Sequence, residues 1–229
     1  MSTCATASQS LSTIFDVGTS NLLNIRFHFV LVRNLRATVR TLLPRNRFDR
    51  LALNDGGLTI LWLVHCRHIK WAALLITASF IWTGWAFHME RYAVLNWAAT
   101  YFGWAFIIEG VLIAALVAKA DIRHHPAIMI LAALGVAAHP MINLANGHPW
   151  PETGLFGTAP DPSVVTALGL MLAIRSPWRR RSLSVIPVLW CLVALTTSFG
   201  LNRSELAITA GAGLIIWIVA SIFTSRKRP

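Results

Sequence analysis

Apolar stretches of membrane-spanning length recur along the chain from Trp71 onward, separated by short polar gaps. Trp71–Met89, Leu95–Ala118, Ala127–Leu144, Leu183–Leu201 and Ser204–Ser225 each come close to the length of about 20 residues that lets a helix cross a hydrocarbon core of about 30 Å. Pro162–Ile174 is shorter, about 13 residues and so roughly 20 Å of helical rise. Residues 57–66 (GLTILWLVHC) are apolar but too short to cross, and read as a stub, an interfacial turn or the end of a degraded helix. The pattern predicts an all-α fold, a polytopic transmembrane helix bundle of about six spans plus an N-terminal apolar stub. Small residues at four-residue intervals, such as Gly110, Ala114 and Ala118, allow the close helix approach that assembles bundles in lipid.

The basic residues between these stretches fall in alternate gaps. Arg67 and Lys70 precede the first, Lys119 and Arg123 follow the second, Arg175, Arg179, Arg180 and Arg181 follow the fourth, and Arg226, Lys227 and Arg228 follow the last. The remaining gaps hold only Arg91 and Arg203. Short loops rich in Lys and Arg stay cytoplasmic, so the alternation predicts that both termini and the 175–182 loop face the cytoplasm. Three regions follow: a basic segment 1–56 that is poorly ordered or interfacial, a helical bundle over 57–225, and a basic tail over 226–229. Arg26, Arg33, Arg36 and Arg40 are spaced either for a surface-lying helix over residues 25–43 or for a disordered basic tail. Met1 to Leu23 lacks the basic region of a cleavable signal peptide.

Composition sharpens this picture. Hydrophobic residues make up 55% of the chain, charged residues 13%, and the mean hydropathy is +0.59. The net charge of +11 would suggest nucleic acid in a soluble protein. Here the basic residues sit where anionic lipid head groups account for them, and no nucleic-acid partner is expected. Cys4, Cys66 and Cys191 have no paired spacing, so neither a disulfide framework nor a cysteine metal site is predicted.

Four residues carry the candidate chemistry. Glu109 is a carboxylate near the middle of its span, where an ionisable group costs at least about 2.5–3.5 kcal/mol unless neutralised or paired. His139 lies at similar depth in the next span, so the two could pair and couple to protons. The alternative is a neutral Glu109 bonded to Thr77, Thr83 or a carbonyl. His148 and Asp161 lie in the external segment 145–162 (ANGHPWPETGLFGTAPDP), which has no Lys or Arg. Asp161 is a candidate N-cap with Pro162 in the first helical position. The helix that follows is too short to cross alone, so Thr153–Pro160 is expected to dip into the membrane as shielded irregular backbone. Such a half-helix start suits a binding site, and the competing reading is a packed external cap. His88, Glu90, Arg91 and Asn96, with Asn143, Asn146 and His148, could line an outer vestibule. Adjacent His124 and His125 point apart on a helix and have no partner at metal-ligand spacing, so no metal is expected. No phosphate loop, nucleophile elbow or H-E-x-x-H motif occurs, so neither an enzyme nor a cofactor is predicted.

The runs WAFHMERYAVLNWAATYFGWAF (Trp85–Phe106), FGTAPDPSVVTALGL (Phe156–Leu170) and IPVLWCLV (Ile186–Val193) resemble an uncharacterised family of small multi-pass bacterial inner-membrane proteins, some labelled permeases. The resemblance covers about residues 57–224, and members carry a fuller helix where this chain has 57–66. It implies a bacterial inner-membrane location and no mechanism. Two function classes remain: a small-molecule permease, with Glu109, His139, His148 and Asp161 as candidate binding residues, or a non-transporting accessory protein that binds a membrane partner.

Overall fold

The computed structural model describes residues 47–94, 96–147, 153–200 and 204–226. Seven helices are built from them: α1 (Arg47–His65), α2 (Ile69–Tyr92), α3 (Ala99–Ala118), α4 (Pro126–Ala145), α5 (Pro160–Met171), α6 (Pro177–Gly200) and α7 (Ser204–Arg226). Five of them, α2, α3, α4, α6 and α7, are long and apolar enough to cross a membrane. The protein is an all-α, multi-pass membrane bundle. The expected apolar stub is the shorter apolar helix Gly56–His65, too short to cross, which forms the end of α1. The surface-helix or tail alternatives for 25–43 lie outside the described residues, as do His148 and the tail from Lys227.

Two of the crossing helices are locally widened. In α4 the π-helical turn Leu134–Ala138 sits just before Pro140, which has no N–H to donate and whose ring would clash with the carbonyl four residues back. An extra residue in the turn accommodates both defects without breaking the helix. In α2 the stretch Thr83–Tyr92 is π-helical to the end.

Six helices form a closed ring in the order α2, α3, α6, α7, α4, α1, each packed on the next, and α5 fills the middle against α2, α4, α6 and α7. Every residue of α5 is buried except the half-buried Asp161. The outer faces of the ring remain apolar and exposed, as Trp104, Ile108 and Val111 of α3 and Ile215, Ile218 and Ile222 of α7 show. That inverted distribution suits lipid, in which apolar contacts do not draw helices together and close packing must.

Glycines supply that close packing. A Cβ on Gly84 of α2 would lie 2.6 Å from the Gly103 carbonyl of α3, and one on Gly103 would lie 2.8 Å from the Gly84 carbonyl. At the centre, a Cβ on Gly135 would fall against Thr166 Oγ1 and 2.5 Å from the Pro162 carbonyl, so α4 and α5 touch backbone to side chain. Gly169 repeats the contact further along α5, with Leu131 Cβ 2.9 Å from the added position.

One end of the bundle gathers the basic turns. The 119–125 and 172–176 connections pair as a short antiparallel bridge at Ile122 and Ile174, with Arg123 N–H donating to Ala173 O (2.8 Å) and Arg175 N–H to Asp121 O (3.0 Å). Arg123 Nε donates to Leu172 O at 2.9 Å and its Nη1 to Thr224 O at 3.4 Å, capping the carbonyl ends of α5 and α7 together. Burial first, and then the neighbouring charge of Arg175, lowers the pKa of Arg123 from its ordinary value. Arg179 Nη1 donates to Lys119 O at 2.9 Å.

The tight α4–α5 seam yields a test. Gly135→Ala should destabilise the purified protein by about 1–3 kcal/mol, because its Cβ meets backbone and a buried hydroxyl. Gly56→Ala, where an added Cβ meets nothing within 4 Å, should not destabilise it. Equal unfolding midpoints for the two variants in a denaturant or thermal series would show that the seam has more slack than its geometry indicates.

Candidate functional site around the central half-helix

The lead-in Thr153–Ala159 turns inside the ring. Thr153, Leu155, Phe156 and Thr158 are buried. Gly154 (φ 68°) and Gly157 (φ 85°) supply the left-handed turns that this path requires. Thr83 Oγ1, more than halfway along α2, donates to Gly157 O at 3.4 Å. Irregular backbone therefore lies at membrane depth, shielded by protein, as the shortness of the following helix requires. The helix begins two residues earlier than its sequence signals suggest. Ala159 precedes it, Pro160 opens it, and Asp161 falls in the first turn instead of capping it.

Side chains from four elements close the backbone bonds that the irregular stretch leaves open. Ser163 is the hub: it accepts from Gly157 N–H at 2.9 Å and from Ser79 Oγ of α2 at 3.0 Å, and donates to Ala159 O at 2.9 Å. Thr158 Oγ1 accepts from Leu155 N–H at 3.2 Å and donates to Leu155 O at 3.0 Å. From α4, Asn143 Nδ2 donates to Thr153 O at 2.7 Å and to His139 Nε2 at 3.2 Å. His139, 4% exposed, also has its Nδ1 3.1 Å from Thr209 Oγ1 of α7. Since Nε2 accepts, the network assigns the imidazole proton to Nδ1, which donates to Thr209. A second proton on Nε2 would displace the Asn143 amide and loosen its hold on Thr153.

Asp161 accepts from Trp190 Nε1 of α6 at 2.7 Å. His139, bonded to Asn143 that holds Thr153, and Asp161 in the first turn both lie toward the N-terminal end of α5. His148 lies outside the described residues.

Glu109 stands elsewhere. It is 2% exposed on α3, which packs on α2 and α6, whereas α4 packs on α1, α5 and α7. Both ring nitrogens of His139 are taken by Thr209 and Asn143, so the possible Glu109–His139 pair does not form. Thr77 bonds Gly110 O and Thr83 bonds Gly157 O, and Glu109 Oε1 is buried with no hydrogen-bond partner. Near it on α3, Phe106 stacks on Phe80 at 5.1 Å.

The outer-vestibule expectation is also corrected at His88. Its imidazole is 0% exposed, 4.8 Å from the ring centroids of both Phe106 and Trp190 and 5.0 Å from that of Phe87. Neither of its nitrogens has a hydrogen-bond partner. Leaving such groups bare costs about 1–3 kcal/mol each, and in the described crossing helices His88 carries two bare ring nitrogens while Glu109 Oε1 and Arg91 Nη1 are bare as well. Trp190 links both halves of the site, since it packs on His88 and donates to Asp161. Sequence reasoning passed over Trp190, Thr209, Ser79 and Ser163. Hydroxyls and tryptophans are common in crossing helices, and only the ring order shows which of them meet. Among the described residues no group of three or more His, Cys, Asp or Glu could hold a metal ion.

Single cysteines at Phe156 and Thr158, in a chain lacking Cys4, Cys66 and Cys191, should react slowly with a membrane-impermeant maleimide. Asn143→Ala should raise those rates by releasing Thr153. Fast labelling in the parent background would mean that the segment is exposed to water.

A model of a family of unknown function, DUF6064, matches residues 56–228. No curated protein and no solved structure matches the chain.

Proposed function

The chain belongs to DUF6064, a family of unknown function, and from that premise we propose that it is a small-molecule permease of a bacterial inner membrane and not an enzyme. One observation carries the reading: a crossing that is interrupted at membrane depth, with irregular backbone and polar side chains converging at the start of a central half-helix. An uninterrupted helix would satisfy its backbone at no such cost, and interrupted helices in membranes lie where a site or a water-filled path needs exposed backbone groups. The solute is received beside Asp161, His139 and Asn143, and Glu109 provides a mid-depth carboxylate for proton coupling. The basic end of the bundle, with the last turn of α7, faces the cytoplasm by the positive-inside rule.

A second reading has its own support. The glycine-lined closure of α4 on α5 at Gly135 and Gly169 suits a static accessory protein whose buried polar groups serve packing alone. Flux separates the two. In proteoliposomes screened over small organic acids, amines and neutral solutes, the permease reading expects uptake driven by a pH gradient for one class. Glu109→Gln should lower that uptake about tenfold or more while leaving folding nearly unchanged, because it keeps shape and removes only the proton. Folded protein that moves none of the panel favours the accessory reading. Reporter fusions after Arg181 should be active only as cytoplasmic reporters, and a periplasmic signal there overturns the orientation.

A further inference from the structure

The turn joining α1 to α2 and the start of α4 enclose an open cavity of about 440 Å³ at the basic end of the bundle. Its polar lining is His65, Arg67, His124 and His125, with no carboxylate among the lining residues, while Ile128 and Met129 contribute to an apolar floor. His125 caps α4, its Nδ1 accepting from Ala127 N–H at 3.2 Å. The positive end of the α4 dipole points into the same space. Arg67 is the described non-glycine residue held at positive φ (63°), within a turn closed by His68 N–H donating to Leu63 O at 2.8 Å. Trp62 and Trp71 are exposed on either side of that turn, the position of tryptophans at the head-group level of a bilayer.

We propose that this cavity seats the head group of an anionic phospholipid, with its phosphate on Arg67 and the histidines and its acyl chains leaving over the apolar floor. A lipid is favoured over a soluble phosphate because the cationic rim and the apolar floor are joined in one cavity at the tryptophan level. The site is independent of the permease reading, since it lies at the opposite end of the bundle from the α5 start.

The test uses the full chain, purified in detergent and titrated with dioleoylphosphatidylglycerol or dioleoylphosphatidylcholine, with retained lipid counted by native mass spectrometry. Wild type should retain the anionic lipid preferentially. Arg67→Gly should lower that preference about fivefold, the share of one basic residue at an anionic surface. Glycine suits the left-handed backbone at this position, so its unfolding midpoint should be unchanged or raised. Arg67→Lys should keep most of the preference, and His124→Gln should lose part of it. Equal retention of the two lipids, or a preference that survives Arg67→Gly, overturns the proposal. A separate arm adds inorganic phosphate in millimolar excess. If phosphate binds and phosphatidylglycerol does not, the cavity takes a free anion and the lipid assignment is lost.

Discussion

In a bilayer core there is no water to satisfy a backbone amide, so every break in a helix must be closed by protein. That constraint organises this bundle. One crossing is too short and begins with irregular backbone, and the ring exists in a form that covers it: Ser163, bonded by Ser79, reaches Gly157, Asn143 holds Thr153, and Thr83 reaches back to Gly157. The glycines at 135 and 169 matter for the same reason. They let α4 approach α5 closely enough for its side chains to serve that backbone.

The spans were legible in the sequence because hydropathy reports burial in lipid directly, residue by residue. The half-helix was legible as well, from the mismatch between its length and the membrane core. Lateral arrangement was not. Glu109 and His139 sit at comparable depth in consecutive helices, and depth alone suggested a pair. The ring order places α3 between α2 and α6 and places α4 between α7 and α1, information that no single helix pattern contains. His88 shows a second limit. Counted along an ordinary helix it belongs near the outer mouth, yet in the π-helical end of α2 it is enclosed by Phe87, Phe106 and Trp190.

The two halves of the polar interior are satisfied to different degrees. Around α5 the donors and acceptors are matched, and His139 is fixed in one tautomer by its neighbours. Between α2, α3 and α6, His88 and Glu109 Oε1 are bare. A well-matched network specifies one arrangement, whereas unmatched groups raise the energy of the arrangement in which they are found. The bare groups are therefore a place where a different packing of the same helices, or an added water, lowers the energy. Trp190 joins this region to Asp161, so a change on one side is felt on the other.

Arg123 anchors the far end of α5. By capping Leu172 O and Thr224 O at once, its side chain joins the last turn of the half-helix to the last turn of α7. The opposite end of α5 is held by Ser163, which joins in three hydrogen bonds there, and by Asp161 accepting from Trp190 of α6. A helix of twelve residues, about 18 Å of rise, bonded at both ends and packed on four neighbours between them, fixes the depth at which its first turn lies.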